Sequence, residues 1–155
     1  MKKTHFIYDK EAHTTICEIS SGGKIFRGTA QCHPDDYDFE SQKVGEVFSH
    51  FRAIIAQCRY DKEVIDHQVT SLTHVLDALC RNPKVDRNSI ECKVIRKQIK
   101  ILKRDKEEIE ETIQHAKAEL KYLIRAKDEL YTRVRQRRAA ENESASQETE
   151  NSVHS

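Results

Sequence analysis

The chain has 155 residues, 37% of them hydrophobic and 34% charged, with no tryptophan and a net charge of +1, which makes it one domain long and too polar for a conventional α/β core. The near-neutral balance excludes a uniformly basic, nucleic-acid-coated protein, and no stretch approaches the roughly 20 apolar residues that span a bilayer. Five cysteines (Cys17, Cys32, Cys58, Cys80 and Cys92) with no C-x-x-C pair are expected as reduced thiols of a cytosolic protein.

Lys2 and Lys3 are followed by no sustained apolar run, so a signal peptide is not expected. Residues 3–32 read as a small antiparallel sheet. Thr4–Tyr8 alternates and is β-prone, Asp9–Ala12 is a polar turn, and His13–Ser20 is a second strand. Gly22-Gly23 supplies residues able to take positive φ before a third strand, Lys24–Cys32. Three short strands are marginal alone and need a helix across one face. Pro34 cannot continue a strand ladder, and the aspartates at 35, 36 and 38 are expected to cap the next helix.

Two apolar tracks then step 4-3-4-3 along the chain. The first is Val44, Phe48, Phe51, Ile55, Cys58, Lys62, Ile65, Val69, Leu72, Leu76, Leu79. The second is Ile95, Ile99, Leu102, Lys106, Ile109, Ile113, Ala116, Leu120, Leu123, Lys127, Leu130, Val134. A mean step of 3.5 residues predicts long helices with a narrow apolar seam, over residues 40–81 and 89–138. Pro83 breaks the pattern in the loop 82–88, and Asn88 with Glu91 predicts a capping box that restarts the helix. So short a loop makes the helices antiparallel neighbours. The expected fold is therefore α+β and mostly helical, a single domain over 1–138, with a disordered acidic tail at 139–155. Two helices bury one seam and leave the rest wet, so a homo-oligomer is expected.

No set of residues converges on catalysis. Cys32 and His33 are adjacent, and neighbours on a strand point to opposite faces. His33, Asp35, Asp36 and Asp38 lack the tuned spacings of a metal site, and there is no phosphate-binding glycine loop, so neither a metal nor a cofactor is expected. Ligand binding is better served. Arg81, Asn82, Asn88 and Arg96 gather at the inter-helix loop, where guanidinium forks match phosphate oxygens and amides match base edges. Phe26 and Arg27 on the third strand add stacking and charge. Residues 93–138 hold 15 Lys/Arg against 8 Asp/Glu, but the glutamates at 107, 108, 110 and 111 argue against a nucleic-acid polymer as partner.

The short sheet, the crossing Gly28-Thr-Ala-Gln-Cys-His-Pro-Asp-Asp-Tyr-Asp-Phe39, Gly45 just inside the next helix, and the long helix pair together resemble the type-one Thoeris anti-defence family of bacteriophages over residues 4–138. That resemblance implies a non-enzymatic sponge in the cytoplasm of the infected bacterial host. Such proteins sequester cyclic ADP-ribose isomers without cleaving them, in pockets at a dimer interface. Members that assemble as hexamers (trimers of dimers) also capture cyclic di- and trinucleotides. The alternative is an oligomeric coiled-coil scaffold or adaptor that binds a protein partner through its helix faces.

Overall fold

The computed structural model describes residues 2–153, with side chains described through residue 145. Three strands, β1 (Lys3–Asp9), β2 (Thr14–Ser21) and β3 (Lys24–Gln31), form an antiparallel meander in the order β1-β2-β3. A 3-10 turn over Pro34–Phe39 leads into α1 (Gln42–Arg81), and the chain returns as α2 (Ile90–Val153). The expected α+β architecture, a small sheet followed by a two-helix hairpin, is the one observed.

The sheet exists to be packed on α1. Period-2 alternation turns Thr15, Cys17 and Ile19 of β2 inward, and all three are buried. Cys17 sits in register between Phe6 of β1 and Gly28 of β3. Beneath them α1 offers the small residues Ser49 and Ala53, both fully buried, flanked by Ile54 and by His50, whose Nδ1 lies 3.6 Å from Cys17 Sγ. Gly28 permits this approach, because a Cβ there would fall on the Ser49 carbonyl oxygen and the Ala53 backbone nitrogen. Gly22 and Gly23 take φ of 57° and 76°, the two positive values of a tight two-residue hairpin.

The seam is as the 4-3 spacing predicts. Every residue of the first track is buried or half-buried, and so is every residue of the second except Leu130. Ile55, Ile113 and Ala116 form its driest stretch, with Phe51, Cys58 and Ile109 packed around them. The three interrupting lysines each meet a carboxylate. Lys62 pairs with Glu110 at 2.5 Å, Lys106 with Asp66 at 2.6 Å, and Lys127 with Asp36 at 2.9 Å. The first two pairs cross the hairpin and fix its antiparallel register.

Three boundaries differ from expectation. The aspartates of the crossing do not cap a helix: His33 caps the 3-10 turn instead, its Nδ1 accepting from the Asp35 N–H at 3.3 Å, while Asp36 turns inward. At the hairpin tip the cap of α2 is Ser89, one residue after the expected Asn88, with Ser89 Oγ accepting the Cys92 N–H at 3.3 Å. Asn88 is held in the loop, its N–H donating to Asp86 Oδ1 at 2.8 Å. Ser89→Ala should therefore cost about 1 kcal/mol and roughly 3 °C of melting temperature, and Asn88→Ala less than half of that, read by thermal denaturation.

The third difference is a correction. Residues 139–153, expected as a disordered tail, continue α2 as helix; the expectation for His154 and Ser155 lies outside the described residues. The segment carries alanines, glutamates and a glutamine, and no glycine or proline. A polar segment needs no core to extend a helix already nucleated by the hairpin, because each added residue gains a hydrogen bond without repeating the nucleation cost.

Candidate functional site

A cleft of about 400 Å³ opens where the β1–β2 turn, the end of β3, the 3-10 turn and the start of α1 meet α2. That volume lies in the range of small-molecule sites, about 300–1,000 Å³. The β1–β2 turn is closed by Asp9, whose Oδ1 accepts the Ala12 N–H at 2.9 Å. His13 then takes a left-handed φ of 50°, which turns its ring onto Tyr37 at 3.7 Å between centroids and its Nδ1 to Glu40 Oε2 at 2.6 Å. Across the opening, the Tyr8 hydroxyl donates to Glu46 on α1, and that carboxylate raises the phenol above its ordinary pKa.

The floor is an ion cluster. Asp36 is buried and accepts from Lys127 at 2.9 Å and from the guanidinium of Arg135. Those two cations hold its carboxyl below the usual carboxylate range, the Lys127 hydrogen bond contributing most. Arg135 also donates to the Asp35 carbonyl at 2.6 Å, and the Tyr131 hydroxyl donates to the Phe39 carbonyl at 3.2 Å. The Tyr131 and Phe39 rings stack at 4.8 Å, with the Arg138 guanidinium 4.9 Å from the Phe39 ring. Residues 127–138 of α2 therefore clamp the crossing turn in place.

The cleft's chemistry is balanced. Lys10 and Lys127 supply positive charge and His13 a ring nitrogen, while Asp9, Asp36 and Glu40 supply acceptors. Gln31, Ser41 and Gln42 add neutral polar groups, and Tyr8 and Tyr131 add rings. Cys32 lines the cleft as a thiol: burial raises its pKa, the nearby Glu40 and Asp36 carboxylates add to the rise, and Lys127 only partly opposes it. A thiol so raised is a poor nucleophile at neutral pH. The lining thus presents both signs of charge beside a thiol held in its protonated form.

The residues named from sequence do not form one site in a chain. Arg81, Asn82, Asn88 and Arg96 do come together at the hairpin tip, all exposed. There Asn82 Oδ1 accepts the Lys84 N–H at 3.0 Å and Arg96 donates to the Arg87 carbonyl at 2.9 Å. Phe26 and Arg27 lie beside the middle of α1, where Phe26 meets Tyr60, about 30 Å from the tip along the helix. They also face opposite sides of the sheet. Phe26 packs inward near Tyr60, at 5.5 Å between ring centroids, whereas Arg27 pairs with Glu18 at 2.7 Å. None of the six lines the cleft. Sequence reasoning missed Asp36, Glu40 and Lys127 as a group. The one available signal was Lys127 itself, a charge inside an apolar track that has to find a counter-charge.

No family model matches the chain, and no curated protein or solved structure matches it significantly. Among the described residues no helix is long and apolar enough to cross a membrane.

Proposed function

We propose that the chain is a homo-oligomeric, non-catalytic binding protein that withholds a cyclic ADP-ribose-type signal, acting as a phage anti-defence sponge in the cytoplasm of an infected bacterium. One observation carries the reading. The crossing Gly28–Phe39, which bears the resemblance to the Thoeris anti-defence family, forms part of the cleft wall through Ala30, Gln31, Cys32 and Asp36. The ligand's chemistry suits the lining. Phosphate oxygens can accept from Lys10 and His13, ribose hydroxyls can donate to Glu40 and Asp9, and a base can lie on the exposed Tyr8 ring. Tight withholding asks for a shaped, preorganised site and slow release, not for a nucleophile.

Assembly is supported by surface area. The chain exposes 11702 Å², whereas a compact monomer of 18.1 kDa exposes about 8,100 Å². The excess is more than twice the roughly 1,600 Å² of a standard interface.

The test is to incubate the protein with glycocyclic ADP-ribose, denature it by heat and assay the released ligand. Intact ligand recovered in stoichiometric amount supports a sponge, cleaved ligand means an enzyme, and no retained ligand sinks the reading. A helical adaptor is the competing reading, favoured by the half-exposed Val75, Val94 and Ile101 on the distal hairpin. It predicts no rise in melting temperature with any cyclic ADP-ribose isomer or cyclic di- or trinucleotide, whereas ligand at 100 times its Kd stabilises a sponge by about 2.7 kcal/mol.

A further inference from the structure

The face of α2 turned away from α1 carries a charge pattern that is its own complement. Tyr122 sits on that face, 68% exposed, far more than an aromatic ring needs to be. Counting outward from it by equal steps, Ala118 and Ala126 lie four residues away, His115 and Glu129 seven, Glu111 and Arg133 eleven, and Glu107 and Arg137 fifteen. Steps of four, seven and eleven return to one side of an α-helix, and fifteen falls at its margin. All eight of these flanking residues are exposed. Beyond the alanines, every pair joins an acid on one side of Tyr122 to a basic group on the other.

Their lack of partners is the second observation. Lys106, Lys127 and Arg135, which share these turns of α2 but point inward, are each satisfied within the chain. Glu107, Glu111, Arg133 and Arg137 make no ion pair among the described residues. The inward cations are thus paired within the chain, while these four exposed charges are not, although Glu107 and Glu111 border a groove shared with Arg59 and Lys62 of α1.

We propose that this outer face is a self-docking surface, on which a second copy packs its α2 antiparallel across a two-fold axis at Tyr122. The axis sets Tyr122 against the partner's Tyr122 and Ala118 against the partner's Ala126, so small residues flank the rings and let the helices approach. Glu111 then meets the partner's Arg133 and Glu107 the partner's Arg137, and the two-fold makes each pair twice. The register is specified as well as allowed. A slip of seven residues either way places Glu111 opposite alanine, at 140 or at 126, and a parallel arrangement in register sets each charge against itself. Exposed pairs add little affinity singly, but in a repeated set they select one alignment over the others. The proposal names the surface for the assembly half of the function reading and stands whether or not a nucleotide binds.

Sedimentation equilibrium tests it on four full-length proteins: wild type, Glu111→Arg, Arg133→Glu and the double exchange. The wild type should be a dimer that weakens with salt. Each single reversal, which creates two like-charge contacts per dimer, should weaken association by about tenfold or more, and the double exchange should restore it to within about threefold. Far-UV circular dichroism confirms that each variant is folded. Tyr122→Cys should form a disulfide-linked dimer under oxidation that leaves the wild type, with its native cysteines, unlinked. A monomeric wild type, a dimer indifferent to the single reversals, or a double exchange no better than the singles would each overturn the proposal. A monomer that still retains nucleotide overturns the docking surface alone, and a dimer that retains none overturns the ligand reading alone.

Discussion

Gly28→Ala should lower stability by about 3 kcal/mol, and Gly28→Val should release the sheet from α1 altogether. The added methyl has nowhere to go. It would land on the Ser49 carbonyl oxygen and the Ala53 nitrogen, and these are backbone atoms two to three turns inside a 40-residue helix. A flexible side chain could swing aside; a helix backbone cannot without breaking its own ladder. The strand must therefore move out and carry its neighbour β2 with it, which uncovers the fully buried Cys17 and Ile19. Burying an isoleucine side chain stabilises by roughly 1.5–3 kcal/mol, so this loss alone accounts for much of the effect. Amide hydrogen exchange separates the outcomes. In the valine variant the amides of β2 should lose protection while those of the α1–α2 seam keep theirs. An alanine variant within about 0.5 kcal/mol of wild type would show that the sheet does not sit as close as described.

Asp36→Asn should cost about 2–3 kcal/mol, which for a chain of this size is roughly 8 °C of melting temperature. The substitution keeps the shape and removes the charge, leaving Arg135 without a counter-ion and Lys127 with only the more exposed Asp128 at 3.1 Å. The figure is set below that of a wholly buried pair because the Arg135 side chain is 43% exposed and partly screened. The effect carries a pH signature. Asp36 has a folded-state pKa below its unfolded value, so its contribution is fully present above about pH 4 and is lost as pH falls through the folded value. Wild type and variant should differ most at neutral pH and converge in acid. A stability gap that stayed constant down to pH 2 would mean that the cluster is not what the substitution disturbs.

The parts of this structure that were legible in the sequence are those written in short-range periods. The seam follows from 4-3 spacing, and the hairpin at Gly22-Gly23 from the demand for positive φ. Even the exception has a local cause: the ion pairs Lys62–Glu110 and Asp66–Lys106 set a register in which Leu130 lies level with the first residue of α1, so it has no partner helix to bury it. The cleft was not legible, because Asp36 and Lys127 lie 91 residues apart and only the hairpin's return brings them together. The arginines and asparagines of the tip were conspicuous as residue types, yet type says nothing about whether a cavity forms around them. The helical segment 139–153 was misread because polar composition marks an absence of core, and an extension of an existing helix needs none.

On the proposed reading, the cleft lined in part by Ala30, Gln31, Cys32 and Asp36 of the crossing holds a cyclic ADP-ribose-type ligand. Isothermal titration of glycocyclic ADP-ribose into wild type, His13→Ala and Arg96→Ala tests it most directly. His13 meets the cleft and contributes no pairing to the Asp36 cluster, whereas Arg96 lies at the far tip. Loss of one hydrogen-bonding contact predicts affinity about tenfold weaker in the His13 variant, with the Arg96 variant within about twofold of wild type. The opposite ranking would place the site at the hairpin tip, and no binding by the wild type would contradict the account outright.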